Sequence, residues 1–365
     1  MRQKVPRGRP ASPSVRARIT LALLGALAAA SVAVGATGPS GDSACLLGST
    51  DVGWIQRALD RWAAVSRQFL KLDDRALPWM VLFDTSCAWH LSPGSTLDPE
   101  TRIIPTSLTF SGVPVQVRAK PHSGIVQLPN GAEVPIEVRA STSLYRYGRI
   151  PFFAMSMPSV WRADPHYATF ARLDDLLDGV ISHEMTHTRL LPPINRRIRE
   201  LGRKFDLPMP LNDDVVQARF GKVQGFERAF NQERELFYRA VLTANPIQRR
   251  DYTAGALSLG RQRRTRYFTG ANEPYAEIES MFLVLEGAGQ LAAYRAVARA
   301  AEADGIDAAA MSLVRDNRKY WSQDEGLALF LLIDAMVPDW QSKIFTSAPA
   351  SPFSLLESAI VATSM

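Results

Sequence analysis

The stretch LDDLLDGVISHEMTHTRLLPP, residues 173–193, decides how the rest of the chain is read. Leu173, Leu176, Leu177, Val180 and Ile181 recur at spacings of three and four, which predicts an amphipathic helix, and Pro192-Pro193 is expected to stop it. Residues four apart on a helix project from one face, a turn apart, so His183 and His187 can turn both imidazoles to a single ion. Glu184 points to the side where a water beside that ion would sit, placed to take its proton. His-Glu-x-x-His in a chain with only five histidines therefore reads as a Zn2+ site with Glu184 as general base. A hydrolytic zinc site takes three protein ligands and keeps one position open, so a third ligand must come from elsewhere.

Two later segments compete to supply it. Asn272-Glu273-Pro274-Tyr275-Ala276-Glu277 opens an apolar helix with two carboxylates at i and i+4, on one face. Glu273 is the expected ligand, and Glu277 the acid that orients a ligand histidine or takes the metal itself. The rival is Glu325 in Trp321-Ser322-Gln323-Asp324-Glu325-Gly326-Leu327-Ala328. The plainer reading of all three is that of first-turn acids favoured by a helix dipole.

Taken together, His183-Glu184-x-x-His187 and the later Glu273-Pro274-Tyr275-Ala276-Glu277 resemble the gluzincin branch of the zincin metallopeptidases. The Glu-x-x-Ala-Glu form is similar to the segment in anthrax lethal factor-like enzymes. The resemblance implies Glu273 as third ligand, Glu277 beside it, and peptide-bond hydrolysis by zinc-activated water. It implies Tyr267, shortly before the ligand helix, as an aid to the oxyanion. It also makes Phe152 to Met157 the edge strand above the metal helix, along which a peptide is laid by backbone pairing. The separation of His187 from Glu273 exceeds that of compact members, so one or two inserted helices are expected.

Outside these motifs the pattern is α+β. A first helix is read over Val52 to Leu72, from Ile55, Leu59, Trp62, Ala63 and Phe69. Strands are read at Trp79 to Phe83, at Val113 to Val117, and at Phe152 to Met157. A hairpin is read at Ile125 to Leu128 and Val134 to Val138, about the Pro129-Asn130-Gly131 turn. Helices follow, marked by Phe226, Phe230 and Phe237 and by the runs Tyr275 to Leu285, Leu291 to Ala301 and Glu325 to Met336. The expected architecture is a zincin-like fold with a small mixed-sheet lobe (51–168) and a mainly helical lobe carrying the zinc helices (169–345). A linker (37–50) precedes it and a C-terminal tail (346–365) follows.

The net charge of +6 resides in the leader: Arg2, Lys4, Arg7, Arg9, Arg16 and Arg18 leave the remainder roughly neutral, so no nucleic-acid partner is expected. Residues 19–36 form an uncharged Leu/Ala/Val-rich run ending Val34-Gly35-Ala36, read within 1–36 as a signal peptide, with an uncleaved membrane tether as the alternative. Export to a periplasmic or extracellular space makes Cys45 and Cys87, the two cysteines, candidates for a disulfide. Arg261, Arg263, Arg264 and Arg266 read as a solvated face or a site for a substrate carboxylate, and Asn212-Asp213-Asp214 as a helix N-cap.

The expected function is that of an extracytoplasmic zinc peptidase acting on peptide or protein substrates. Two rivals keep the same residues: a zinc hydrolase of a non-protein amide, such as one in cell-wall material, and an inactive zincin-like envelope binding protein. Glu184 beside both histidines speaks against the last, since a scaffold needs no base.

Overall fold

The computed structural model describes residues 45–72, 77–92, 94, 100–145, 149–298, 306–315 and 319–362; the leader or tether read at 1–36 lies outside the described residues. The chain begins with α1 (Ser49–Gln68) and then runs through β1 (Trp79–Phe83), β2 (Cys87–Ser92), β3 (Arg102–Ile104), β4 (Thr109–Phe110), β5 (Val113–Pro114), β6 (Gln116–Pro121), β7 (Ile125–Gln127), β8 (Glu133–Pro135), β9 (Ala140–Tyr145) and β10 (Ile150–Ser156). Helices follow: α2 (Pro158–Ala163), α3 (Leu173–Phe205), α4 (Val215–Phe220), α5 (Phe226–Leu242), α6 (Pro246–Tyr267), α7 (Tyr275–Val297), α8 (Ala308–Val314), α9 (Trp321–Met336), α10 (Gln341–Ile344) and α11 (Pro352–Ala362). The fold is thus α+β, with a helical C-terminal region.

Six strands form one mixed sheet in the order β3-β6-β2-β1-β10-β9. Only β1 and β10 pair in parallel; the other neighbours are antiparallel. Because side chains alternate along a strand, the sheet has two apolar faces. Met80, Leu82, Phe153 and Met155 join the helical core, whereas Val81, Phe83, Phe152 and Ala154 are capped by Val126 and Val134 of the β7–β8 hairpin. The run Phe152 to Met157 accordingly lies inside the sheet, not at its edge: β10 has β1 on one side and β9 on the other. The edge strand next to the helices is β9, whose small polar residues Ser141, Thr142 and Ser143 gave no apolar alternation to read.

α3 continues through Pro192 and Pro193 to Phe205, past the expected stop. Each proline costs a helix interior about 3 kcal/mol. Beyond them, Ile194, Ile198 and Leu201 prolong the buried stripe, each contributing about 1.5–3 kcal/mol. The packed continuation outweighs the break. The N-terminal half of α3 is tied to α1 at Asp178, whose buried carboxylate lies 3.1 Å from both Arg57 Nε and Arg61 Nη1.

The runs Tyr275 to Leu285 and Leu291 to Ala301 are one helix, α7, uninterrupted to Val297. Gly287 and Gly289 suggest a helix end by composition, yet they serve close packing. A Cβ on Gly287 would stand 2.5 Å from a Phe330 ring carbon and 2.7 Å from the Gly326 carbonyl oxygen, so α7 and α9 touch where neither has a side chain. The segment read as a tail carries α11, whose Phe353, Leu355 and Leu356 are buried.

Cys45 and Cys87 form a disulfide that ties the chain ahead of α1 to the start of β2. It spans 42 residues, a loop for which the unfolded-chain entropy removed amounts to about 4 kcal/mol. Replacing both cysteines by serine is expected to lower unfolding free energy by about 3–4 kcal/mol, read as a shift in urea midpoint at constant slope. No change in midpoint would show that the bond adds nothing to stability.

Candidate metal centre

His183, Glu184 and His187 sit at the middle of α3, where the helix crosses the edge of the sheet and meets α7. All three are essentially withdrawn from solvent, at 2%, 0% and 1% exposure. The imidazole centroids of His183 and His187 lie 4.2 Å apart. Opposite them stands Glu286 of α7, also 0% exposed, with Oε2 3.3 Å from His183 Nε2 and Oε1 3.5 Å from His187 Nε2. These three side chains form the cluster close enough to hold a metal ion among the described residues.

The fit to a cation rests on hydrogen-bond accounting. His183 Nε2, both ring nitrogens of His187 and both oxygens of Glu286 are buried without a hydrogen-bond partner. Buried polar atoms are nearly always satisfied, and a lone buried carboxylate costs several kcal/mol. A divalent cation would answer His183 Nε2, His187 Nε2 and the Glu286 carboxylate together, leaving His187 Nδ1 on the side of Glu184, and two imidazoles plus a carboxylate are a donor set that suits zinc.

Electrostatics carry the same message. Burial holds His183 down, to about 4, and holds His187 well below the usual imidazole range, so both rings are neutral and have lone pairs to give. Burial, with repulsion from Asp214, pushes Glu286 up to about 8, offset by the amide of Gln323. That amide is held in turn by Gln290, Nε2 to Oε1 at 3.1 Å. Burial likewise pushes Glu184 up to about 7, against the pull of His183 and a hydrogen bond from Thr142. Thr142 Oγ1 donates to Glu184 Oε2 at 2.5 Å and lies 3.1 Å from the Glu184 carbonyl oxygen. The edge strand therefore holds the proposed base in place.

Close approach of α7 to α3 depends on Gly289. A Cβ there would lie 2.9 Å from His183 Nδ1 and Cε1 and 2.9 Å from His187 Nε2. No side chain fits without displacing both rings. On the other side of His183 a cavity of about 260 Å³ is walled by Trp161, Tyr167 and Phe170.

The other expected site residues lie elsewhere. Glu273 is exposed in the turn before α7, and Glu277 is exposed and paired with Arg197, Nε to Oε1 at 2.5 Å. Glu286 lies nine residues beyond Glu277, which is about 13–14 Å along a helix. The carboxylate that meets the histidines is thus Glu286 and not Glu273. Glu325 is buried, but it faces Glu233, Glu279 and Arg263, and burial with repulsion from Glu233 raises it well above the usual carboxylate range. Tyr267 directs its hydroxyl to the Gln224 carbonyl, 3.4 Å away, with its ring against Phe226.

The basic cluster before Tyr267 is divided: Arg261 and Arg266 are exposed on α6, as a solvated face would be, whereas Arg263 and Arg264 turn inward. Arg263 is buried between Glu233 and Glu279, at 2.7 Å from each, and Arg264 meets Glu279 at 2.7 Å. Arg261 pairs with Glu357. Asp214 stands at the N-cap of α4, whereas Asp213 is buried, held well above the carboxylate range by burial and by repulsion from Glu286.

Glu286 was missed because the helix was ended at Leu285. One signal was present: a single acid inside Met281-Phe282-Leu283-Val284-Leu285-Glu286-Gly287-Ala288, where an unpaired charge has no structural use.

No protein-family model, curated protein or solved structure matches the chain.

Metal content separates the carboxylates. Glu286→Ala is expected to abolish zinc retention measured by mass spectrometry, whereas Glu273→Ala and Glu277→Ala keep it. Gly289→Ala is expected to weaken zinc binding more than tenfold while leaving the helical circular dichroism in place, by analogy with the 10–100-fold cost of disturbing groups that orient ligands. Full retention in Glu286→Ala would refute the assignment.

Proposed function

We propose that this chain is a zinc-dependent peptidase that works outside the cytoplasm. The observation that carries the reading is the placing of Glu184. Its carboxyl is held by Thr142 from the sheet edge, next to two histidines and a glutamate with no other partners. A metal site that only stabilised the fold would have no need of a fourth, non-ligating carboxyl at this position.

His183, His187 and Glu286 would hold the ion. Zinc bound there supplies a Lewis acid for a substrate carbonyl and lowers the pKa of water to near neutrality. Glu184 takes one proton from the attacking water as the new C–O bond forms, and delivers it to the amide nitrogen as the C–N bond breaks. Its raised affinity for protons suits both halves of that transfer. Thr142 fixes which oxygen does the work, since a hydroxyl on Oε2 leaves Oε1 without a partner. Among the described residues β9 pairs on one side only, with β10, and Ala140 to Ser143 are buried against α3, so this strand serves to position Glu184 and is not an open edge for an added peptide strand. Tyr267 has no part in this scheme, because its hydroxyl is turned to Gln224. An extracytoplasmic setting is supported by the basic-then-apolar leader sequence and by the Cys45–Cys87 disulfide.

Glu184→Gln is expected to retain zinc and fold while losing hydrolysis of a peptide library by several orders of magnitude. Thr142→Val removes the hydrogen bond alone and should lower kcat about tenfold with little change in KM. Wild-type rates in Glu184→Gln would exclude this mechanism. A zinc-loaded wild type that cuts no peptide but cleaves a cell-wall amide would move the substrate class without moving the site.

A further inference from the structure

Beyond its last metal-site histidine, α3 runs on as one wall of an open groove of about 1340 Å³. Five arginines line it: Arg149 from the turn joining β9 to β10, and Arg189, Arg196, Arg199 and Arg203 from α3. Asp206 is the acid lining it among the described residues. Arg149, Arg196, Arg199 and Arg203 form no ion pair among the described residues, in a chain whose other buried and half-buried arginines are mostly matched with carboxylates. Arg196 reaches only the Ser347 carbonyl, at 3.1 Å. Arg199 Nε and Asn195 Oδ1 are buried at the groove without any partner. The floor between the charges is apolar, from Pro192, Pro193, Met209 and Phe345.

Three unpaired guanidinium groups along one helix, Arg196, Arg199 and Arg203, with Arg149 lining the same groove, make its potential positive, and their planar forks match carboxylate geometry. The groove also has a definite relation to the metal site. Thr142 of β9 contacts Glu184, and Arg149, at the far end of the same hairpin, donates its backbone N–H to the Tyr145 carbonyl at 3.0 Å. α3, which carries Glu184, and Arg149, directly before β10, thus continue from the metal site into the groove.

We infer that this groove binds an acidic segment of the peptide substrate. The inference rests on the peptidase reading for the word substrate, not for the binding. The separation can be gauged along α3. Glu184 and Arg196 are 12 residues apart, about 18 Å of helix, which an extended peptide spans in about five or six residues. Asp or Glu at that remove from the scissile bond meets the arginines. A peptide fits the lining better than a nucleic acid, which calls for stacking platforms where this groove offers Phe345 as its one aromatic ring. It also fits better than a membrane surface, since the arginines line a concave channel.

The test is binding to the full chain carrying Glu184→Gln, by fluorescence anisotropy of a labelled Glu-rich peptide and of its Gln-for-Glu counterpart, with and without zinc. The Glu-rich peptide is expected to bind at least tenfold tighter, with the margin shrinking as salt rises. Arg199→Gln and Arg203→Gln should each weaken it about tenfold. Arg203→Glu should weaken the Glu-rich peptide more than Arg203→Gln does while leaving the Gln-for-Glu peptide unaffected, a charge-specific outcome that loss of fold cannot mimic. Equal binding of the two peptides, or no effect of the arginine substitutions, overturns the inference. So does tighter, arginine-dependent binding of polyphosphate or of phosphatidylcholine–phosphatidylglycerol vesicles, which would identify a phosphate anion as the ligand. Acidic-peptide binding together with absence of peptide hydrolysis by the zinc-loaded wild type would count against the peptidase reading and leave the groove's ligand in place.

Discussion

The structure depends on one contact above the others: the meeting of Glu286 with His183 and His187 across the α3–α7 interface. Three polar side chains are taken fully out of water with no opposite charge to compensate them, at a cost that the surrounding core must bear until a cation fills the gap. That demand explains the shape of the helical lobe. α7 is apolar on nearly every side because it lies between α3 and α9, and it has glycine at the two positions where those helices come closest. A helix free to stand off by even an ångström would keep the fold and lose the site.

The acids of the helical lobe can be sorted by whether an arginine answers them. Glu277 has Arg197, Glu279 has Arg263 and Arg264, and Glu233 has Arg263. Glu286, on the same helix as Glu277 and Glu279, has no arginine, only the two histidines and the amide of Gln323. Since a buried carboxylate next to a guanidinium is already neutralised, it has little left to offer a metal, whereas Glu286 has everything to offer. Glu325 illustrates the remaining case. It is equally buried, but it adds a third carboxyl to a network in which Arg263 already serves two, and no imidazole lies in that network. Burial alone does not make a ligand; convergence with lone pairs of other donors does.

This sorting also explains what could be read in the sequence. The metal helix, the paired histidines, the base and the α+β division follow from periodicity and spacing, which are local. β1 was legible to the residue, and the β7–β8 hairpin was legible through its Asn-Gly turn, for the same reason. The third ligand was not, because its identity is a matter of which acid another helix brings across the core. Glu273 and Glu277 sat at a helix start, with a family-like motif, and Glu286 sat among glycines. The gap left between the runs Tyr275 to Leu285 and Leu291 to Ala301 holds those glycines, whose role is close approach, which depends on partners distant in sequence. β9 was invisible for a related reason: its inward residue is a threonine that serves Glu184, so function replaced the apolar alternation by which a strand is recognised. Pro192-Pro193 misled in the opposite sense, since a local rule was overridden by the buried stripe beyond it.

The coupling of sheet edge and metal helix through Thr142 gives the arrangement its direction. A base held by a helix alone would be oriented only by its own rotamer, and a buried glutamate has several. Here a strand of the sheet also holds the carboxyl, so the position of Glu184 is set by β9 as well as by its own rotamer. The same strand is tied at its end to Arg149, which lines the basic groove. A site built in this way tolerates change in the helices behind it so long as α3 keeps its contact with β9. By contrast, a shift of β9 by a single residue would turn Thr142 to the opposite face of the sheet and free the base from its hold.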